Sequence, residues 1–145
     1  RFVGKVIELH KELGLYEDTI FVMVGDHGEA FGEHGYNMHD AVPYQEVVRV
    51  PLMVHIPGQF QEGRNVHYPS SQLDIVPTVA RALGYEVVAP AREGIPLQSK
   101  STSRTIKSSC WYERRCASIR DGDDVLVYHF GSRYPELFDL ALDPD

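Results

Sequence analysis

The sequence predicts an α/β fold with flanking helices and a small antiparallel subdomain at its end, on three observations. Two continuous apolar runs of strand length, residues 19–24 and 50–56, have the pattern of strands buried on both faces of a parallel sheet. Amphipathic helical patterns lie beside them at residues 2–13 and 74–84. Past residue 116 the pattern shifts to short segments around Asp121-Gly122-Asp123, the signature of a hairpin.

Each element follows from local chemistry. In residues 2–13, Phe2, Val3, Val6, Ile7 and Leu13 form a stripe opposite Lys5, Glu8, Lys11 and Glu12. Gly14 stands where a left-handed residue ends the helix. No Ser, Thr, Asp or Asn precedes Phe2, and this uncapped start predicts further sequence upstream. A short helix is expected over 41–49, and the strand at 50–56 is closed by Pro57-Gly58. In 74–84, Asp74 reads as the cap, Pro77 lies in the first turn, and Gly84 is the stop. Residues 87–109 are aperiodic and rich in Pro, Ser, Lys and Arg, and read as a long loop. Strands at 117–120 and 124–130 make the hairpin, and 135–140 packs back onto it. The expected organisation is an α/β part over 1–98, then a loop and the small subdomain over 99–145.

Composition excludes several classes. The chain has 145 residues and a formal net charge of −7, from 14 Lys+Arg against 21 Asp+Glu. With 43% hydrophobic and 24% charged residues it is globular, not disordered, collagen-like or coiled-coil. The acidic balance argues against nucleic acid or an anionic membrane as partner. The longest apolar run, 20–24, is far below the roughly 18–20 residues that cross a bilayer, so no transmembrane segment is expected in this chain. No signal region is present, which leaves cytoplasmic and exported (periplasmic or extracellular) locations both open. Cys110 and Cys116 are too far apart to bridge if extended and lack zinc-knuckle spacing, so they read as reduced.

The chemistry concentrates after the first strand. Three of the seven histidines, His27, His34 and His39, share one stretch with Asp26, Glu29, Glu33 and Asp40 and with glycines 25, 28, 32 and 35. Ligands of open α/β sheets bind beyond the carboxyl ends of strands, which is where Asp26 and His27 stand. The pair offers a cation one hard oxygen and one imidazole nitrogen, and the glycines leave the backbone free to turn around it. Two ligands do not complete a catalytic site, so the others must come from elsewhere.

Asp26-His27-Gly28-Glu29, Gly32-Glu33-His34-Gly35, His39, Tyr44-Gln45-Glu46 and Arg49-Val50-Pro51-Leu52 resemble the C-terminal half of a sulfatase. More broadly they resemble the alkaline-phosphatase superfamily of sulfatases, phosphonate monoester hydrolases and phosphoglycerol transferases. The resemblance continues through the stretch from Ser71-Gln72-Leu73-Asp74 to Pro77-Thr78, through Gly94-Ile95-Pro96-Leu97, and through Glu136-Leu137-Phe138-Asp139-Leu140 with Asp143-Pro144. It implies the C-terminal part of an alkaline-phosphatase-like mixed sheet.

By the same resemblance Asp26 and His27 ligate one divalent metal, Ca2+ in sulfatases and Mn2+, Zn2+ or Mg2+ in phosphoester relatives. His39 takes a position where many members carry Lys and others His, contacting the sulfate or phosphate and assisting the leaving group. His27 stands where sulfatases commonly have Asn, which tilts towards phosphoester branches. The nucleophile, a formylglycine made from Cys or Ser, or a Thr in the transferase branch, is expected upstream. The substrate class is a small-molecule or glycan sulfate or phosphate ester.

Other residues have plainer roles. His34 reads as structural, Glu29 and Glu33 as loop-stabilising, His55 and His129 as core or edge histidines, and Arg49 as an anchor of the short helix. Ser70-Ser71 and Ser108-Ser109 read as loop or cap residues, without a neighbouring base. Three readings stand: part of a sulfate-ester hydrolase, part of a phosphodiesterase, phosphonate hydrolase or phosphoglycerol transferase, or a non-catalytic binding or scaffold piece. The 145 residues alone are expected to be inactive and to hold metal weakly, and an exposed half-sheet leaves homodimerisation open.

Overall fold

The structure is a computed structural model that describes residues 2–39, 42–60, 63, 65–87, 94–99, 103–110, 115–131 and 133–142. Helix α1 (Phe2–Glu12) ends as Gly14 predicts. Gly14 adopts φ 70°, its N–H reaches Lys11 O at 3.1 Å, and Leu15 N–H reaches His10 O at 2.9 Å. This paired closure satisfies carbonyls that the helix leaves open, and it needs a residue without Cβ at the left-handed position.

Strands β1 (Phe21–Val24) and β2 (Leu52–His55) pair with each other, Phe21 opposite His55 and Val24 opposite Leu52. The pairing is antiparallel, which corrects the parallel arrangement read from their apolar runs. An apolar run carries no information on strand direction, and the burial on both faces expected from it is not seen: β1 is half-buried throughout and Met53 of β2 is exposed. Antiparallel pairing has a consequence for the site. The exit of β1 and the entry of β2 lie side by side, so everything between them leaves and returns at one end of the sheet. Helix α2 (Gln45–Val48) is one turn, shorter than expected. Val42, Pro43 and Tyr44 run into it buried: Val42, before Pro43, is steered from helix, and Tyr44 enters α2 extended at φ −72°, ψ 168°.

Helix α3 (Ile75–Ala82) closes on Gly84 (φ 80°) as α1 closes on Gly14, with Tyr85 N–H on Ala80 O at 2.8 Å. Its start differs from expectation. A short turn, Gln72–Asp74, leads into it, and the cap is Ser71, whose Oγ accepts from Leu73 N while Ser71 N–H donates to Asp74 Oδ2 at 2.8 Å. Asp74 is the acid of this reciprocal box rather than the cap, and it is 1% exposed. Its carboxylate also accepts from Ile95 N–H at 2.8 Å and Arg104 Nη1 at 2.5 Å.

The C-terminal sheet has the order β3-β4-β5-β6, all antiparallel. Hairpin β4 (Cys116–Asp121) and β5 (Asp124–His129) turns at Gly122-Asp123, and β6 (Glu136–Asp139) packs back onto β5 as predicted. Strand β3 (Thr105–Ser109) lies in the stretch expected to be loop. Ile106 is its one strongly apolar residue, so alternation was too faint to show, and β4 supplies the pairing that makes it a strand. Residues 88–93 and 100–102 of that stretch lie outside the described residues.

Cys110 and Cys116 form a disulfide, correcting the reduced pair read from their spacing. The chain is not extended between them. The β3–β4 ladder continues past Ser109 and Ala117, Cys110 N–H donates to Cys116 O at 3.1 Å, and the Cα atoms lie 5.3 Å apart. The bridge is buried with Val42, Tyr44, Val125 and Val127, so the stretch after His39 is packed directly onto this sheet. Among the described residues no helix is long and apolar enough to cross a membrane. Closing so short a loop predicts that replacing both cysteines by alanine lowers the free energy of unfolding by about 2 kcal/mol in urea titration; unchanged stability would contradict the packing role.

Candidate functional site

The site begins where β1 runs out. Gly25 N–H makes the last ladder bond, to Pro51 O at 3.0 Å, and the chain then turns away as Asp26 and His27. Gly28 N–H meets Val47 O at 2.7 Å. A Cβ at Gly28 would run into the Glu46 carbonyl, so only glycine lets the loop lie this close to α2.

Hydrogen bonds to acceptors fix the two histidines. His27 Nδ1 lies 2.8 Å from Gly28 O. A carbonyl can only accept, so Nδ1 carries a proton, and in the neutral ring Nε2 keeps its lone pair. That Nε2 lies 3.7 Å from Asp26 Oδ2, a spacing at which one cation can touch both. His39 Nδ1 likewise faces Glu29 Oε2 at 3.0 Å, which turns its Nε2 outward. The rings of His27 and His39 stack 3.8 Å apart at 14°. The structure thus joins Asp26, His27 and His39, separated by up to thirteen positions, on one wall of a cleft of about 1010 Å³.

The His27 amide, 3.1 Å from Oδ1, together with the amide of Asp26 itself, holds the Asp26 carboxyl below the usual 3.8. Amides of Glu33 itself and of Phe31 lower Glu33 in the same way, and Glu33 Oε2 ties the loop through Phe31 N–H at 2.5 Å. His34 stands apart from the trio, stacked 4.1 Å from Tyr44 with Nδ1 on Glu46 Oε1 at 3.0 Å. His55 stacks on Tyr16 and His129 pairs with Glu136 at 2.7 Å, both away from the trio. Glu136 also accepts from Tyr44 Oη at 2.9 Å; burial and this carboxylate push the Tyr44 hydroxyl well up. Arg49 lines the cleft wall, and its amide closes α2 on Gln45.

Gln72, within the Ser71–Asp74 motif but without a role assigned from the sequence, also reaches this loop. Its Nε2 donates to Gly25 O at 2.7 Å and to Asp26 O at 2.9 Å, fastening the strand exit from outside. An amide has no spacing signature; its one clue was its place between Ser71 and Asp74. Among the described residues no group of three or more His, Cys, Asp or Glu could hold a metal ion. Asp26 and His27 fit a divalent cation as two of its ligands, one hard oxygen and one free imidazole nitrogen open to the cleft.

The fold is shared with solved structures of ester hydrolases. It superposes on a phosphonate monoester hydrolase from Silicibacter pomeroyi with TM-score 0.77 at 24% identity, over 98% of this chain and 34% of that one. The chain belongs to the sulfatase family, whose model matches residues 1–85. It is 31% identical to an arylsulfatase of Clostridium perfringens and 32% identical to a choline-sulfatase of Rhizobium meliloti, in each case over 98% of this chain. The chain spans 31% and 29% of the lengths of these two relatives. Following the carboxyl resonances by NMR through an acid titration of the metal-free protein should place Asp26 below 3.8; a midpoint at or above that value would contradict the amide contact.

Proposed function

We propose that this chain supplies the metal-holding and leaving-group side of a sulfate ester hydrolase, a sulfuric ester hydrolase, within a longer protein. The observation that carries the reading is the convergence of Asp26, His27 and the stacked His39 on one cleft wall. Family membership and the arylsulfatase and choline-sulfatase relatives support sulfate as the ester. Asp26 and His27 hold the divalent cation, calcium in this reading, and that cation, when bound, offsets negative charge gathering on the ester. His27 can serve because its proton is committed to Gly28 O and its other nitrogen is free.

His39 does the proton work. Glu29 orients its ring and stabilises the imidazolium, so Nε2 contacts the sulfate and donates a proton to the departing oxygen. When the sulfur–oxygen ester bond breaks, the leaving alkoxide takes that proton; the nucleophile that would displace it, a formylglycine, is expected upstream. Because the nucleophile and further ligands are expected outside these residues, the 145-residue chain alone is inactive in this reading. Substrates are small-molecule or glycan sulfate esters.

A second reading, phosphonate monoester or phosphodiester hydrolysis, draws on the fold match to the Silicibacter pomeroyi enzyme and on His27 in place of the commoner Asn. Assays of the full-length protein on an aryl sulfate, an aryl phosphonate monoester and an aryl phosphodiester separate the two. The sulfate should turn over, with His39→Ala lowering kcat about 100-fold or more and Asp26→Ala abolishing activity. Turnover of the phosphorus esters alone would replace the sulfate reading with the second.

A further inference from the structure

We propose that Gln72 is a positioning residue for Asp26, holding the strand exit so that Asp26 and His27 meet one divalent cation; this rests on the metal reading above. Past the Gly25 ladder bond to Pro51, β1 has left its partner, and the loop is next tethered at Gly28 N–H on Val47 O. Between those points the carbonyls of Gly25 and Asp26 both accept from Gln72 Nε2, at 2.7 and 2.9 Å. Carbonyls only accept, so the side-chain NH₂ must face them, one N–H to each, with Oε1 turned away. The Asp26 side chain is 91% exposed, and its carboxylate bonds to the His27 amide, which sits on the same loop and moves with it. Between Gly25 and Gly28, the fork from Gln72 is what refers the loop to a fixed part of the molecule.

Gln72 is fixed by its own neighbours. It sits on the turn Gln72–Asp74, locked by the Ser71–Asp74 box, and the buried Asp74 carboxylate holds Ile95 and Arg104 as well. Rigidity therefore passes from α3 and the following loop through Gln72 to the metal-facing carboxylate. Gln72 itself contacts neither cation nor ester in this account, and its effect is on Asp26. Groups that orient metal ligands typically cost 10–100-fold in affinity when removed.

The test is calorimetric titration of the metal-free full-length protein with calcium, and separately with manganese, alongside its melting temperature. Gln72→Leu keeps the bulk and removes both N–H donors, and Gln72→Glu sets oxygen against the two carbonyls. Both should weaken metal binding about tenfold or more while the melting temperature of the metal-free protein stays put. Asp26→Asn is the reference and should lose binding. Wild-type affinity in both Gln72 variants beside lost binding in Asp26→Asn overturns this inference and leaves the metal reading standing. Undiminished binding in Asp26→Asn overturns the metal reading itself. An affinity loss accompanied by an equally lowered melting temperature also overturns the inference, since it marks general loosening.

Discussion

The buried carboxylate of Asp74 is where three separate segments are held together. It accepts from the Ser71 amide in the capping box ahead of α3, receives the backbone of Ile95, and pairs with Arg104 just before β3. A carboxylate removed from water is tolerated only where its lone pairs are taken up, and here two amides and a guanidinium do so. Thr78 extends the hub, donating to Asp74 O at 2.6 Å and accepting from Leu97 N–H at 2.8 Å. Because Gln72 shares the turn, the position of the strand exit bearing Asp26 depends on the same carboxylate.

A second support comes from the C-terminal sheet. Tyr44 is buried against the Cys110–Cys116 bridge and Val127, and it donates to Glu136 while His129 takes the other contact with that carboxylate. The ring of His34 lies on Tyr44, and His34 in turn meets Glu46, next to the carbonyl that excludes any side chain at Gly28. The loop that carries the histidines is therefore clamped from both sides, by the turn ahead of α3 through Gln72 and by the sheet through Tyr44. Both clamps act on backbone or on residues that face away from the cleft. The side chains that face it, Asp26, His27 and His39, remain free for chemistry.

Features whose chemistry is local could be read from the sequence. Gly14 and Gly84 mark helix ends because the closing turn demands positive φ, and Gly122 marks the hairpin for the same reason. Asp26 and His27 announce themselves as an acid–imidazole pair after an apolar strand. Features set by pairing partners could not be read. The direction of β1 against β2 is not encoded in an apolar run, and β3 owes its state to β4 more than to its own Ile106. The cysteine bridge depends on the chain folding back within six positions, which spacing alone does not reveal. Gln72 and Glu136 act through single amide or carboxylate contacts across 46 and 92 positions, where no periodicity points.

The central claim is that Asp26 and His27 bind one divalent cation together, with His27 using Nε2. Anomalous diffraction from crystals of the full-length protein grown with manganese tests it most directly. The account predicts a single peak about 2.0–2.6 Å from both an Asp26 carboxylate oxygen and His27 Nε2, with Nδ1 still on Gly28 O. A peak that touches neither residue, or a His27 ring turned to offer Nδ1, would contradict it.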